Sequence, residues 1–368
     1  MRLAFDVTTC VKARRGGIST YGRNLIQACV QVAPEHDYVL AVRSHRWMQR
    51  SLVGDLIPGA RPRLLFDGFH RLTLGAPIEA LHSIGVRLPS GGRFAKTVML
   101  HDLNVFEYPD LADPAWRRTR QQRLRETVER ADLVISYSHQ GAHALTEYLD
   151  VPREKIRVIP PGVDTAMFQR PAEEAMRSVL QRHRLLDRPY LLMVGSYSDR
   201  KNPHGLLDAF ADSRLDSDWL LVLAGPQGAE QDALRTHAHQ RGLNSDRLRL
   251  PGWIEDDDLP ALLAGATGYV CSSLHEGFGL PVLEAQASGT PVVSSNRGAL
   301  PETVGDCGLL FDPSSREQFT SALEELAGND ALRADLSKRG PRRVSEQYSW
   351  RRTAESTLDV MTAAAALR

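Results

Sequence analysis

The sequence predicts an α/β protein of two Rossmann-like, doubly wound domains that face each other across a cleft. The first observation is length, because 368 residues exceed what one ordinary hydrophobic core accommodates. The second is the alternation of short apolar runs with amphipathic segments, which is typical of parallel sheets covered by helices on both faces. The third is a break at Ile159-Pro-Pro-Gly-Val-Asp164, where proline and glycine interrupt the alternation.

The first half of the chain contains four short apolar runs separated by longer helical patterns. The predicted strands are, in order, Leu3–Phe5, Tyr38–Val42, Thr97–Leu100 and Leu133–Ser136. The predicted helices are Gly17–Val32, Ala115–Ala131 and Gln140–Leu149. Strand length and helical periodicity distinguish the two kinds of segment.

The second half repeats the same alternation. Its predicted strands are Tyr190–Val194, Leu220–Ala224, Leu248–Leu250, Gly268–Ser272 and Pro291–Ser294. Its predicted helices are Pro203–Asp212, Glu230–Arg241, Leu259–Leu263, Pro281–Ala287, Ser315–Ala327 and the terminal Trp350–Leu367. We therefore expect a first domain over 1–162, a second over 163–349, and a terminal helix over 350–368 with the option of crossing back to the first domain.

Composition excludes several classes of protein. Lysine plus arginine equals aspartate plus glutamate, 45 each, so no overall basic field points to nucleic acid. The four cysteines lie far apart without a CxxC pair, which favours reduced thiols in a cytoplasmic protein. Met1–Asp6 has the pattern of a strand rather than of a signal peptide. No apolar run reaches the roughly 18 residues of a membrane span, so we expect any membrane contact to be peripheral.

The most informative segment runs from Tyr269 to Glu284 and places Glu276 and Glu284 around a glycine-bearing loop. An apolar run precedes this loop and Pro281 follows it, so the pattern predicts a strand, a turn and a helix with Glu284 in the first helical turn. Free N–H groups at a helix start attract anions, and carboxylates accept hydrogen bonds from sugar hydroxyls. The alternative for Glu284 alone is an ordinary interaction with the helix dipole.

A second candidate site follows the first predicted strand of the second half. Gly195 allows a sharp turn, and Arg200 and Lys201 come just before the helix that begins near Pro203. Two cations beside a helix start suit a diphosphate. A solvated pair of charges is the alternative. Because cations are unfavourable near the positive end of a helix, this placement favours an anionic ligand.

A glycine loop in the first half, Lys12–Thr20, opens the first helix. Its Gly16 and Gly17 permit close approach to a phosphate or a sugar, although a simple turn is the alternative. The loop is not GxGxxG, and no acidic residue follows at the dinucleotide position. The second-half loop starting at Gly277 has Val282 where a third glycine would be needed.

Three further signals remain open or weak. His101 ends a predicted buried strand, so it is expected at the rim of the cleft near a sugar or phosphate, with a structural histidine as the alternative. Glu255-Asp-Asp-Asp258 is typical of a helix cap rather than a cation site. The helix over 115–131 holds six arginines, which form either a solvated face or a contact with anionic lipid or a phosphate-bearing acceptor.

These motifs together resemble the retaining, nucleotide-sugar-dependent glycosyltransferases of family 4, which have the GT-B fold and an E-x7-E motif. The motif here is His275-Glu-Gly-Phe-Gly-Leu-Pro-Val-Leu-Glu284. Supporting matches are Gly16-Gly17, His101-Asp102, Val158-Ile-Pro-Pro-Gly-Val-Asp164, Gly195, Arg200-Lys-Asn202, Ala224-Gly-Pro226 and Leu300-Pro-Glu302. One departure is Pro161, where many members have asparagine.

The resemblance implies an acceptor-binding first domain and a donor-binding second domain. Glu276 would contact the hydroxyls of the donor sugar, and Glu284 those of the ribose. The implied catalytic residues are Glu276, His101, Arg200 and Lys201, the cations acting on the diphosphate. The implied substrate-binding residues are Gly16, Gly17, Gly195, Trp253, Ile254, Gly277, Phe278, Gly279, Leu280 and Glu284, with Trp253 and Ile254 near the base.

The resemblance also implies a metal-independent transfer of a hexose to a glycan or lipid-linked acceptor, with no separate cofactor. The co-substrate would be a sugar nucleotide of GDP, UDP or dTDP, and GDP-mannose is favoured because the motifs are similar to those of mannosyl- and rhamnosyltransferases of bacterial surface polysaccharides. The expected location is the cytoplasm or the inner face of the membrane. The alternatives are an NAD(P)-dependent oxidoreductase, which the absent GxGxxG disfavours, and a catalytically silent nucleotide-sugar-binding protein.

Overall fold

The chain divides into two α/β units, each with its own parallel sheet. Unit 1 comprises Met1–Gly162 together with Tyr348–Arg368, and unit 2 comprises Val163–Gln347. The structure is a computed structural model that describes residues 1–11, 16–54, 56–57, 60–66, 73–109 and 113–368. The first four residues of the predicted glycine loop, 12–15, therefore lie outside the described residues.

Unit 1 has a seven-stranded parallel sheet in the order β3-β2-β1-β4-β5-β6-β7. The strands are β1 Arg2–Asp6, β2 Asp37–Arg43, β3 Arg63–Leu65, β4 Ala80–Ser83, β5 Ala95–Leu100, β6 Leu133–Ser136 and β7 Ile156–Val158. The helices between them are α1 Gly17–Val32, α2 Asn104–Glu107, α3 Pro114–Arg130 and α4 His139–Leu149.

Unit 2 has a six-stranded parallel sheet in the order β10-β9-β8-β11-β12-β13. The strands are β8 Tyr190–Val194, β9 Leu220–Ala224, β10 Leu248–Gly252, β11 Gly268–Cys271, β12 Val292–Ser295 and β13 Leu309–Phe311. The helices are α5 Glu173–Arg182, α6 Pro203–Asp212, α7 Ala229–Gln240, α8 Leu259–Gly265, α9 Leu280–Ala287, α10 Leu300–Val304, α11 Arg316–Gly328 and α12 Asp330–Gln347.

The central strands are buried along most of their length because helices cover both faces of each sheet. In unit 2, all five residues of β9 are buried. Leu221 and Leu223 of this strand belong to a core that includes Phe210 of α6 and Phe311 of β13. In unit 1, all six residues of β5 are buried. These buried strands hold the loops at their carboxyl ends in position. Ligands bind at the carboxyl ends of the strands in doubly wound sheets.

The last helix, α13 Trp350–Ala366, belongs to unit 1 and packs on α1. The Trp350 ring lies 5.7 Å from that of Tyr21, and the Thr353 hydroxyl donates to the carbonyl of Pro160 at 2.9 Å. A Cβ atom on Gly162 would collide with the backbone nitrogen of Trp350. The segment where the chain leaves unit 1 is therefore in direct contact with the segment where it returns.

The predicted fold class is confirmed, and each predicted strand and helix is present within two residues of its predicted ends. The elements that the sequence did not reveal are mostly short, such as β3 and β13 with three residues each. Two longer helices were also missed. In α5, Met176, Val179 and Leu180 are buried at helical spacing between charged residues. In α12, the helix continues through Pro341. No helix among the described residues has the length and apolarity needed to cross a membrane.

Candidate functional site

Two loops of unit 2 lie side by side at the carboxyl ends of neighbouring strands β8 and β11. One contains the short 3-10 helix Asp199–Lys201, and the other follows β11. The Ser272 hydroxyl donates to the carbonyl of Lys201, and the Leu274 N–H donates to the carbonyl of Arg200, both at 2.7 Å. These bonds bring the predicted cation pair and the first glutamate together.

Glu276 forms the centre of this site. Its Oε1 lies 2.5 Å from Nζ of Lys201, and its Oε2 lies 3.0 Å from Nη1 of Arg200. The Ser273 hydroxyl donates to Oε1 at 2.7 Å. Burial alone would raise the pKa of Glu276, but the charges of Lys201 and Arg200 outweigh it and lower the pKa to about 2. The buried carboxylate is therefore ionised and held by three donors.

This arrangement bears on one inference from the sequence. The position of the cation pair before α6 favours an anionic ligand, and Glu276 already supplies negative charge to the pair from within unit 2. The Asn202 side chain also caps α6 by accepting from the Gly205 N–H at 3.2 Å. A bound diphosphate would therefore share these cations with Glu276.

The backbone around Glu276 is fixed by a third loop that the sequence analysis missed. The Ala299 N–H donates to the carbonyl of Glu276 at 3.0 Å. Gly298 has a φ of +58°, and a Cβ atom there would collide with the same carbonyl oxygen. The Ser295 hydroxyl donates to the carbonyl of Ser273 at 2.5 Å. The sequence signals were two serines at the end of a buried strand and a glycine just before Leu300-Pro-Glu302.

The glycine loop after Glu276 leads directly into α9. Gly279 has a φ of +98° and precedes the first helical residue, Leu280. The Phe278 carbonyl accepts from the Thr303 hydroxyl at 2.6 Å, which ties the loop to α10. Within the described ranges, the N–H groups of Gly279 and Leu280 donate to no protein acceptor. Free N–H groups at a helix start are suited to an anion.

Glu284 lies in the second turn of α9, not in the first as predicted, because the helix begins at Leu280, one residue before Pro281. The helix-dipole alternative for this residue is therefore wrong. Burial, followed by the nearby charge of Asp256, raises the pKa of Glu284 to about 7. Its carboxyl group accepts no hydrogen bond from the residues that the structure describes. A carboxyl group that is buried without a partner destabilises the folded state, and such groups are typical of functional sites.

Three other predicted residues lie at the carboxyl ends of β8 and β10. Gly195 has a φ of +148°, and its N–H donates to the carbonyl of Ala224 at 2.9 Å. The Lys201 side chain lies within 3.6 Å of where a Cβ atom on Gly195 would be. Trp253 is 47% exposed, whereas Ile254 is buried. The exposed indole offers a flat apolar surface of the kind on which a nucleotide base stacks.

The predicted glycines of unit 1 lie at the start of α1. Gly16 precedes the helix with an extended φ of −125°, and Gly17 is the first helical residue. No described atom lies within 4 Å of a Cβ atom built on either glycine. Neither local backbone conformation nor the described neighbours therefore require glycine at these positions. With respect to the described atoms, the space around Gly16 and Gly17 is compatible with the predicted approach of a phosphate.

His101 lies inside unit 1. Its Nε2 is 2.5 Å from the carbonyl oxygen of Ile84 and must donate to it, so Nδ1 accepts from the Tyr137 hydroxyl at 2.6 Å. Burial is the main cause that lowers the pKa of His101 to about 4, so the ring is neutral near pH 7. This placement corresponds to the structural alternative. A contact between the ring and a sugar stays a prediction and requires exchange of one of these bonds.

Metal ligands do not gather anywhere in the described part of the chain: no group of three or more His, Cys, Asp or Glu side chains is arranged to hold an ion. The four cysteines are buried, and none of them forms a disulfide. The candidate site in unit 2 is built from Glu276, the cations Lys201 and Arg200, and the start of α9. Such a site can hold an oxyanion and accept hydrogen bonds from hydroxyls.

Two family models and several known proteins match this chain. The family model described as Glycosyltransferase Family 4 matches residues 15–167, and that described as Glycosyl transferases group 1 matches residues 179–343. The O-antigen chain mannosyltransferase B of Escherichia coli is 31% identical over 261 residues, covering 70% of this chain and 68% of that protein. The serotype-specific mannosyltransferase WbdA of Escherichia coli is 32% identical over 292 residues, covering 76% of this chain but only 35% of WbdA.

Solved structures share the fold. The crystal structure of Anabaena Alr3699/HepE in complex with UDP and glucose superimposes with a TM-score of 0.79 at 17% sequence identity, covering 99% of this chain and 100% of that one. Both halves of the chain thus match glycosyltransferase models, and the mannosyltransferase B relative aligns over 68% of its own length. The chain therefore belongs to glycosyltransferase family 4 and is a glycosyltransferase with the GT-B fold.

Proposed function

We propose that this enzyme moves mannose from GDP-mannose to a glycan or lipid-linked acceptor, with retention at the transferred carbon and without a metal ion. The observation that supports this most directly is the ionised Glu276 between Lys201 and Arg200, next to the free N–H groups at the start of α9. The choice of mannose rests on the relatives named as mannosyltransferases. Family membership argues against the oxidoreductase alternative.

In this proposal, unit 2 binds the donor and unit 1 binds the acceptor. Glu276 accepts hydrogen bonds from the sugar hydroxyls, the α9 N–H groups contact the sugar and the phosphate, and Glu284 accepts from the ribose. Trp253 and Ile254 lie near the base. Gly16, Gly17 and His101 contribute to the reaction from unit 1. The expected location is the cytoplasm, including the inner face of the membrane.

The proposed mechanism depends on charge that develops during bond breaking. The bond between the anomeric carbon and the diphosphate oxygen breaks, so positive charge develops on the sugar and negative charge on the leaving diphosphate. Arg200, Lys201 and the helix N–H groups stabilise that negative charge. The acceptor hydroxyl attacks on the face from which the diphosphate leaves, and its proton passes to a phosphate oxygen. Fixed cations thus supply the role that a metal ion would otherwise have.

Glu284→Gln is expected to raise stability and weaken nucleotide binding at the same time. Folding raises the pKa of Glu284 from 4.5 to about 7, so ionising it disfavours the folded state as pH rises from 4.5 through 7. At pH 8 the variant should gain up to about 3 kcal/mol in unfolding free energy, and the gain should vanish near pH 4.5. Loss of carboxylate bonds to ribose should weaken nucleotide binding about tenfold or more. Thermal melts and calorimetric titrations measure both effects.

The matched control is Glu325→Gln, an exposed glutamate in the middle of α11, which should change neither quantity. Nucleotide affinity of the unsubstituted enzyme should rise with pH through 7, whereas that of Glu284→Gln should be flat. A variant that is stabilised at pH 8 but binds nucleotide with unchanged affinity contradicts the ribose assignment.

The donor is tested by thermal shift with GDP, UDP, dTDP and ADP. A nucleotide at one hundred times its dissociation constant adds about 2.7 kcal/mol of stability, so the correct base should stand out. We expect GDP to give the largest shift. A larger shift with another nucleotide contradicts the proposal that the base of the donor is guanine. Binding without transfer to an acceptor and without slow hydrolysis of the sugar nucleotide supports the silent binding protein instead.

A further inference from the structure

Helix α10 lies directly against the glycine loop of the proposed donor site. A Cβ atom built on Gly279 would lie 2.8 Å from a methyl group of Leu300 and 4.0 Å from the methyl group of Thr303. Threonine hydroxyls within helices commonly bond the carbonyl of the preceding turn. Thr303 is fully buried, and its hydroxyl instead donates to the carbonyl of Phe278 in the loop at 2.6 Å.

This hydrogen bond fixes the direction of the peptide group that joins Phe278 to Gly279. The peptide is trans, so its carbonyl and its N–H point in opposite directions. Because Thr303 holds the carbonyl on the side of α10, the Gly279 N–H is turned away from α10. Among the residues that the structure describes, none accepts a hydrogen bond from this N–H. The Gly279 N–H is therefore available to a ligand.

Helix α10 is itself held by two neighbouring helices. Arg343 of α12 donates from Nη1 to the carbonyl of Thr303 at 2.8 Å. Gln286 of α9 donates from Nε2 to the carbonyl of Val304 at 2.9 Å. These bonds run to consecutive carbonyls at the end of α10. The Thr303 hydroxyl is thus in place before any ligand binds, which lowers the ordering cost of binding.

The loop depends on an external contact of this kind because Gly279 constrains its own backbone only weakly. Its φ of +98° lies in the region that favours glycine, and glycine adopts positive and negative φ with similar ease. A peptide group beside this residue can therefore rotate with little strain, and rotation would turn the N–H away from an anion. The Thr303 hydroxyl opposes that rotation because it holds the carbonyl of the same peptide.

We propose that Thr303 is a positioning residue for the oxyanion of the sugar nucleotide, an inference that rests on the proposed function. Thr303 touches neither the sugar nor the diphosphate. It acts through the Phe278–Gly279 peptide, whose N–H it directs towards the diphosphate at the start of α9. An N–H group that is aligned beforehand needs no reorganisation when negative charge develops on the leaving diphosphate.

The test is calorimetric titration of the full chain with GDP, inorganic pyrophosphate and guanosine. Thr303→Val nearly keeps the shape of the side chain but removes the hydroxyl, whereas Thr303→Ser keeps the hydroxyl. We expect Thr303→Val to bind GDP and pyrophosphate about tenfold more weakly, which corresponds to about 1.4 kcal/mol. Guanosine has no phosphate, so its affinity should not change. Thr303→Ser should restore most of the lost affinity for both anions.

Thr290→Val is the matched control. Thr290 is also buried in unit 2, and its hydroxyl donates to the backbone carbonyl of Leu263 at the same distance of 2.6 Å. This variant should lose a comparable amount of stability in thermal melts without a change in GDP affinity. Equal loss of GDP affinity in both valine variants would show that the effect is one of stability alone and would overturn the inference.

NMR spectra with glycine-selective 15N labelling give a direct readout of the peptide group. In the unsubstituted enzyme, the amide signal of Gly279 should shift on addition of pyrophosphate, because its N–H donates to the anion. In Thr303→Val the shift should be much smaller at the same degree of saturation. An equal shift in both proteins contradicts a positioning role for the hydroxyl.

The titrations separate failure of this inference from failure of the proposed function. If GDP and pyrophosphate bind to Thr303→Val as tightly as to the unsubstituted enzyme, only the role of Thr303 is wrong. The same conclusion follows if GDP and guanosine lose affinity equally. If the unsubstituted enzyme binds none of the titrants, the proposed donor site is wrong and the inference fails with it. Weaker pyrophosphate binding by Thr303→Val supports the inference even where GDP is not the correct nucleotide.

Discussion

Glu276→Ala is expected to reduce sugar transfer at least a hundredfold. The carboxylate is proposed to bond the donor sugar, and it also holds Lys201 and Arg200 in position at 2.5 and 3.0 Å. Removal of one preorganised group that acts on the transition state typically costs about a hundredfold to a thousandfold in rate. The measurement is kcat/KM for transfer from the sugar nucleotide, with thermal melts on the same sample.

Thermal melts of Glu276→Ala are needed because Lys201 and Arg200 lose their carboxylate partner in this variant. Removal of one member of a buried ion pair typically costs about 3–5 kcal/mol of stability. In the unsubstituted enzyme, the low pKa of Glu276 means that the stabilisation is present above pH 4.5 and is lost as pH falls towards 2. Activity is therefore compared at neutral pH, where Glu276 is ionised, and below the melting temperature of the variant.

Ser273→Ala is the matched control for the Glu276 prediction. It removes one hydrogen bond of 2.7 Å to the glutamate and leaves both ion pairs in place. Loss of one such bond typically costs about 0.5–1.5 kcal/mol, so the effect should be at most about tenfold. Full activity of Glu276→Ala in a folded protein would remove the basis for the proposed site.

Lys201→Ala and Arg200→Ala are each expected to lower kcat/KM by about 10- to 150-fold. Each cation is proposed to donate a charge-assisted hydrogen bond to the leaving diphosphate, worth about 1.5–3 kcal/mol. Because the diphosphate gains charge as the bond breaks, kcat should fall more than KM rises. Steady-state kinetics with varied donor concentration separates the two quantities.

The two cations should differ in their response to substitution. Both cations contact Glu276, but Lys201 is the closer and the less exposed of the two. Arg200 has a further bond, because it also donates to the carbonyl of His275 at 2.8 Å. We therefore expect Lys201→Ala to destabilise the folded state more. The control is Arg235→Ala, which removes an exposed ion pair to Asp232 and should change neither activity nor stability measurably. Unchanged kcat in both active-site variants contradicts the assigned role.

Much of the fold was predictable because the strands of a covered parallel sheet are continuous apolar runs. The five-residue runs of β8 and β9 were located with their correct ends for this reason. Strands β3 and β13, with three residues each, are too short to produce such a pattern. Helix α12 was hidden by Gly340-Pro341, a pair typical of a chain break. Gly340 instead allows close contact between α12 and the Gln286 carbonyl of α9.

The residue types of the proposed donor site were also predictable, since a strand, a glycine turn and a helix place carboxylates and N–H groups at one sheet edge. The position of Glu284 within its helix was not, because a shift of one residue in the start of α9 moves it from the first turn to the second. Its raised pKa depends on burial and on Asp256, which the local sequence does not reveal.

Sequence alone was sufficient for the fold class and the family resemblance, because these depend on local periodicity and motif spacing. Only the tertiary structure revealed that Glu276 is bonded to Lys201 and Arg200, 75 residues or more away along the chain. It also showed that two arginines of α3, Arg117 and Arg125, contact Pro109 and Phe106 of unit 1. Burial and pairing between distant segments set the charge state of each group, and neither is encoded in the pattern of neighbouring residues.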